Sequence, residues 1–155
     1  IEKENSNKNF FELANVPDGF KVKSKSTVSS IGAIMLNLEF RDVATAGAIT
    51  ELEPRKTIEL QTFDGLVVEL EEYDYEQKVW AHFDFSYNPG IVVAEAVEAK
   101  TQDDPEAEEN AQETVEEEAA LLKERTAQWV YEMPDYKTRT IDKRFEDLIE
   151  EATDD

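Results

Sequence analysis

The chain contains no cysteine, which excludes disulfides, thiolate nucleophiles and Cys-ligated metals. It contains one histidine, His82, so any imidazole chemistry must pass through that residue. Its five glycines stand apart at positions 19, 32, 47, 65 and 90. No phosphate-cradling loop can be assembled from them. Gly-x-Ser-x-Gly is absent, so the chain offers no nucleophile elbow. No apolar run is long enough to cross a bilayer, and none has the pattern of a signal segment. Bases are scarce: 16 Lys and Arg stand against 37 Asp and Glu, for a formal net charge of -21. Neutralising phosphates takes clustered Lys and Arg, so this balance argues against nucleic acid or an anionic membrane as a partner. It favours solubility, cationic partners and counter-ions. The chain opens at Ile1 rather than Met, which reads as a fragment or processed form of a longer parent.

What is present is globular. A chain of 155 residues buries roughly two-thirds of the surface its unfolded form exposes, enough to fold without staples. Residues 1–9 are polar and read as a loose segment. Residues 10–14 read as a short strand, and Val16-Pro17-Asp18-Gly19 supplies turn chemistry. Ser26 or Thr27 can cap a helix whose apolar positions are Val28, Ile31, Ile34, Met35 and Leu38. The small residues Ser29, Ser30, Gly32 and Ala33 on its other faces permit close approach to a sheet. Alternation then predicts strands over 57–62, 66–70 and 79–87. Asp64-Gly65 marks a type I′ hairpin turn between the first two, and 73–78 holds a longer turn. On the third strand Val79, Ala81, Phe83, Phe85 and Tyr87 share one face; Trp80, His82 and Asp84 share the other. The reading is an antiparallel meander with one face against a core.

Residues 101–118 carry nine acids and no base. A helix is expected from about 106 to 127, poorly buried at its start, with Pro105 suited to its first turn. Residues 128–133 read as a strand with Trp129, Tyr131 and Met133 on one face. Asp135 then caps a last helix whose apolar stripe is Ile141, Phe145, Leu148 and Ile149.

Few residues invite a chemical role. His82 lies between Trp80 and Asp84 in sequence, and Asp84 could orient it as a base or metal ligand. A base also needs a nucleophile and a pocket, so the plainer reading is a polar residue on an exposed or half-covered sheet face. Among so many carboxylates, nothing singles out a glycosidase-like pair. Neither Asp74-Tyr75-Glu76 nor Asp103-Asp104 has the spacing of a calcium loop. The aromatics at 80, 83, 85 and 87 lack the basic neighbours that an RNA-binding sheet requires. Trp129-Val130-Tyr131-Glu132-Met133-Pro134-Asp135-Tyr136-Lys137 is the most distinctive stretch, either a docking strand or a strand crossing the core that Pro134 hands to the last helix.

Several of these stretches are familiar in their order. They run Phe11-Glu12-Leu13-Ala14-Asn15-Val16-Pro17-Asp18-Gly19, then Leu36-Asn37-Leu38-Glu39-Phe40-Arg41-Asp42-Val43, then Thr62-Phe63-Asp64-Gly65-Leu66-Val67-Val68 and Trp80-Ala81-His82-Phe83. They end with Trp129-Val130-Tyr131-Glu132-Met133-Pro134-Asp135-Tyr136-Lys137 and Lys143-Arg144-Phe145-Glu146-Asp147-Leu148. From about residue 10 to 150 this order resembles the C-terminal part of the bacterial family called domain of unknown function 4340. The resemblance implies a setting. Members look like membrane-anchored envelope proteins with a large region outside the cytoplasmic membrane. Some are similar to auxiliary components of gliding-motility-type ABC transport systems. It implies no catalytic residues, and the acidic segment 101–118 matches none of its motifs.

The expectation is therefore a single α+β domain over 10–152, an antiparallel sheet of four to five strands with helices packed on one face. It carries an acidic insertion at about 101–118 and a tail at 153–155. No cofactor or metal is expected. The candidate interaction surface is Trp80, His82, Asp84, Trp129 and Tyr131. The leading expected role is non-enzymatic: an interaction or scaffold domain of a periplasmic or otherwise extracytoplasmic bacterial envelope protein, accessory to an ABC transporter. Its partner is another envelope protein or the rest of its own parent chain. This segment itself makes no membrane contact, and its parent is membrane-anchored. The alternative is a hydrolase using carboxylates near His82.

Overall fold

A computed structural model describes residues 1–5, 8–93 and 106–152, except the side chains of 106–113. The fold is α+β: a five-stranded antiparallel sheet, a second sheet of two strands, and helices. Where the sequence pointed to one domain, the chain divides into two compact units. One is formed by residues 1–39 with 134–155, the other by residues 40–133.

The second unit holds the large sheet. Its strands are β2 (Val43–Thr45), β3 (Lys56–Gln61), β4 (Leu66–Tyr75), β5 (Lys78–Tyr87) and β6 (Trp129–Glu132), in the spatial order β2-β6-β5-β4-β3. All neighbours run antiparallel. Alternation located β3, β4 and β5 within a few residues, because Ile58, Leu60, Val68, Leu70, Phe83 and Phe85 recur at the period of two that one covered face demands.

The two hairpin turns exchange their expected characters. In the β3–β4 loop only Gly65 has a positive φ, 97°. Gly65 N donates to Thr62 O and Thr62 N to Leu66 O, a three-residue bulged loop rather than the type I′ turn expected at Asp64-Gly65. A side chain at 65 would also press on the Tyr87 ring and the Asn88 carbonyl. The true two-residue turn joins β4 to β5. There Glu76 and Gln77 both have positive φ, 51° and 62°, between paired Tyr75 and Lys78. Both central residues in that region make it type I′, built without the Asn or Gly that usually supplies it.

The meander also buries more than one face. Ala81, Phe83, Phe85, Val68 and Leu70 are buried on one side. On the other, Trp80 and Tyr73 pack with Ile49 and Val130, and Ala44, Ala46 and Tyr75 close round them. The short 3₁₀ turn Ala46–Ile49 brings Ile49 to this cluster. The helix expected near 106–127 is present as α2 (Glu106–Thr126); it packs along β5 and reaches β4. Val115 and Ala119 are its buried residues among those described, and Lys123 and Arg125 in the last turn complement its dipole. Thr126 Oγ1 donates to Phe83 O at 3.2 Å and closes the helix end onto β5. Residues 101–105 of the acidic segment, and the tail at 153–155, lie outside the described residues.

The first unit holds β1 (Phe20–Val22), α1 (Lys25–Gly32), α3 (Asp135–Ile141), α4 (Phe145–Leu148) and β7 (Ile149–Glu151). The strand expected at 10–14 does not form; an isolated bridge between Glu2 and Glu12 is all the pairing there. Helix α1 starts earlier than expected, because Ser24 is its cap and accepts from Thr27 N at 3.2 Å. It also ends earlier, at Gly32, so Ile34 is buried from a following turn instead of from the helix. The close approach offered by Gly32 goes to a side chain, not a sheet: a Cβ there would overlap the Phe11 ring.

The long final helix is also absent. Asp135 lies in the first turn of α3, while Pro134 occupies the cap position. After Ile141 the helix ends, and Arg144 turns extended, φ -89° and ψ 164°. Its N–H donates to the Asp147 carboxylate at 2.9 Å, which starts the short α4. Ile149 then leaves as a strand: Phe20, Lys21 and Val22 pair with Glu151, Glu150 and Ile149. Of the expected apolar stripe, Ile141 and Leu148 are buried, but Phe145 is 38% exposed.

Candidate functional site

The five residues expected to share an interaction surface are split by the sheet. Tyr131 pairs with Ala81 and Glu132 with Trp80. Tyr131, and Trp129 two residues before it, therefore lie on the side of Ala81 and Phe83, while Trp80, His82 and Asp84 lie on the other. Trp80 is only 5% exposed, which removes it from any surface; the register sets it against Tyr73, and Val130 and Ile49 complete its surroundings. Tyr131 stacks with Phe40 at 4.5 Å between ring centroids, and both meet Phe83 edge-on. These rings pack the sheet. Trp129 is exposed at the end of β6.

His82 and Asp84 do stand among polar groups. Cross-strand pairing puts His82 opposite Glu71 and Asp84 opposite Glu69. Glu71 accepts a 2.7 Å hydrogen bond from the Tyr73 hydroxyl, and its carboxylate is 3.9 Å from His82 Nδ1. The other ring nitrogen, Nε2, lies 3.4 Å from Ala127 O, just past the end of α2. Asp84 pairs with Lys123 of α2 at 3.0 Å. Burial, aided by the hydrogen bond to Glu71, pushes the Tyr73 phenol up to about 12. Tyr73 thus holds its proton firmly, and Glu71 spends an oxygen on it. The expected partner of His82, Asp84, is instead committed to the helix. The arrangement ties β4, β5 and α2 together more readily than it prepares an acid–base pair.

Two carboxylates, Glu72 and Glu132, are buried, and the sequence reading marked neither for burial, taking Glu72 as solvated charge. Glu72 is fully buried, with Arg55 Nε 3.4 Å away, and Arg55 also reaches Asp74 at 3.2 Å. Glu132 accepts from Lys78 Nζ at 2.6 Å. In the first unit, Lys137 is buried yet, among the described residues, bonds no carboxylate. Its Nζ donates to Ile34 O at 2.8 Å and Leu36 O at 2.7 Å, and burial lowers its affinity for the proton. One sequence signal was available for the buried acids: Glu72 and Glu132 occupy inward positions of alternating strands, where an acid needs a partner. Among the described residues no group of three or more His, Asp or Glu side chains is placed to hold a metal ion.

The feature that lies open is the outer edge of the sheet. Strand β3 pairs only with β4, and among the described residues no strand lies beyond it. Its six residues alternate between half-buried (Lys56, Ile58, Leu60) and exposed (Thr57, Glu59, Gln61). The bond from Thr62 N to Leu66 O fixes the ladder's phase. Ile58 and Leu60 turn their main-chain groups toward β4, and Thr57, Glu59 and Gln61 turn theirs outward. No family model, no curated protein and no solved structure matches this chain.

Proposed function

We propose that this chain is a non-enzymatic interaction domain of a bacterial cell-envelope protein, lying outside the cytoplasmic membrane as an accessory part of an ABC transport system. The observation that carries the interaction reading is the open β3 edge. Thr57, Glu59 and Gln61 direct their N–H and C=O groups away from β4, which is what strand addition by a partner requires. The state of the groups round His82 supports the non-enzymatic part: Tyr73, Glu71, Asp84 and Lys123 are engaged with one another or with their framework. The envelope setting rests on the order of motifs from Phe11 to Leu148 described above.

A photo-cross-linking residue placed at Thr57 in the full chain, expressed in a bacterial envelope, tests the proposal. A discrete protein adduct is expected at Thr57 and not at Glu117, an exposed residue of α2. Glu59→Pro takes an outward-facing N–H from the main chain and an exposed carboxylate from the surface, so it should change stability by less than about 1 kcal/mol while abolishing the adduct. Equal labelling at Thr57 and Glu117 would defeat the proposal.

A further inference from the structure

The register of the large sheet lines up acids across three strands. Glu59 of β3 faces Glu69 of β4, and Glu69 faces Asp84 of β5. Thr57, Glu71 and His82 form the adjacent row. Lys123 neutralises Asp84, but neither Glu59 nor Glu69 forms an ion pair among the described residues. Glu59 accepts only the Gln61 amide, at 2.7 Å. Because residue 59 lies at a non-hydrogen-bonded position, its side chain and that of Glu69 sit at the closer of the two cross-strand spacings. Like charges so placed are destabilising in an isolated sheet. The opposite side of the same edge is apolar, with Ile58 and Leu60 half-buried.

Resting on the reading of β3 as the interaction edge, we infer that its partner is an extended segment with alternating basic and apolar residues, added as a sixth strand beside β3. Its Lys or Arg side chains fall on the Glu59–Glu69 side, and its apolar side chains extend the Ile58–Leu60 side. Charge complementarity selects this occupant. The alternation of side chains is fixed by the backbone, so a strand that pairs with Thr57, Glu59 and Gln61 must set every second residue beside the acids. A second copy of the chain, pairing edge to edge, would bring Glu59 of each copy toward the acids of the other, a repulsive arrangement that keeps edges from self-pairing. Segments rich in acids are rejected by the same rows.

The probe is a capped peptide of alternating Val and Lys. Its controls are the alternating Val and Glu peptide and a block isomer with the Lys residues gathered at one end. Binding to the full chain is followed by amide shifts and by titration at two salt concentrations. The Val-Lys peptide should shift and protect the amides of Thr57, Glu59 and Gln61, and should weaken severalfold as salt rises. Glu59→Lys should weaken it by about fivefold, and Glu59→Pro should abolish it. The inference is overturned if the Val-Glu peptide binds as well, or if the block isomer does, since charge without register would then suffice. It is also overturned if the chain dimerises through β3, seen as sedimentation of a dimer that Glu59→Pro dissolves. If Thr57 cross-links a partner whose captured segment lacks alternating bases, the partner chemistry fails and the interaction reading stands. If Thr57 gives no adduct and no peptide binds, both fail.

Discussion

The Tyr73 phenol makes the stability of the second unit depend on pH in an unusual window. Its pKa rises from an ordinary value of 10.0 to about 12, chiefly because burial disfavours the phenolate and then because Glu71 accepts its proton. The fold therefore prefers the neutral form. That preference contributes fully below pH 10 and is lost as pH climbs from 10 through 12, because the unfolded chain releases the proton first. At 1.36 kcal/mol per unit, two units bound the loss at about 2.7 kcal/mol. Tyr73→Phe removes both the ionisation and the hydrogen bond to Glu71. At pH 8 the variant should be less stable by about 1.5–3 kcal/mol, the worth of a hydrogen bond to a charged acceptor. As pH rises past 10 the gap should narrow, by about 2 kcal/mol at pH 11.5, because only the wild type carries the ionisation penalty. Guanidinium unfolding of both proteins at intervals from pH 8 to 11.5 measures the gap directly. Contributions from Lys137 and other distant groups cancel in the difference. A gap that stayed constant from pH 9 to 11.5 would refute the reasoning. So would tyrosinate absorbance at 295 nm showing all five tyrosines titrating together near pH 10.

Three further substitutions probe the framework. Gln77→Gly relieves a non-glycine residue at φ 62° and should raise stability by about 1 kcal/mol in thermal or chemical melts; a loss would mean the turn is held by contacts of the Gln77 side chain. Gly32→Ala sets helix propensity against overlap with the Phe11 ring, and the overlap should win, lowering stability by about 1–2 kcal/mol. Lys137→Met leaves the carbonyls of Ile34 and Leu36 without their donor and should cost about 1–3 kcal/mol near neutral pH. Burial holds the folded pKa of Lys137 below that of the unfolded chain, so its charge weighs against the fold at neutral pH. The wild type should gain on Lys137→Met as pH rises toward 10.5, and a shrinking gap over pH 8 to 10 would contradict that.

How much was legible varied with the range of the interactions involved. The central strands were readable because alternation reflects the covering of their own faces, a local property. The long α2 was readable because Val115, Ala119 and Leu122 keep helical spacing where the described part begins. The C-terminal stretch misled, since Ile141, Phe145, Leu148 and Ile149 fit a helical stripe equally well. What separates the two readings is the pairing of Val22 with Ile149, at opposite ends of the chain, which no local pattern encodes. The turns misled for a related reason. Asp64-Gly65 has type I′ composition, but strand register decides where a two-residue turn falls, and it placed one on Glu76-Gln77. At the site, His82 reads in the sequence as a polar residue on an exposed or half-covered face, and it is half-covered, but its neighbours were not legible. Sequence proximity suggested Asp84, whereas cross-strand register supplies Glu71. The acid rows on the β3 side are invisible until register aligns Glu59, Glu69 and Asp84.

The pairing of β2 with β6 also bears on how the protein is made. The chain enters the second unit through β2 and leaves it through β6, and those strands are neighbours: Val43 faces Tyr131, and Thr45 faces Trp129. Entry and exit are thus about 4.8 Å apart across the sheet, and the second unit is one continuous stretch. The first unit, by contrast, is drawn from both sides of that stretch. During synthesis the residues of the second unit emerge from the ribosome before those of α3, α4 or β7. Strand β1 must wait, unpaired, until the last strand emerges. An arresting sequence placed after Met133, behind a linker long enough to span the exit tunnel, would thus separate a unit with its complete sheet from one that still lacks half of its own.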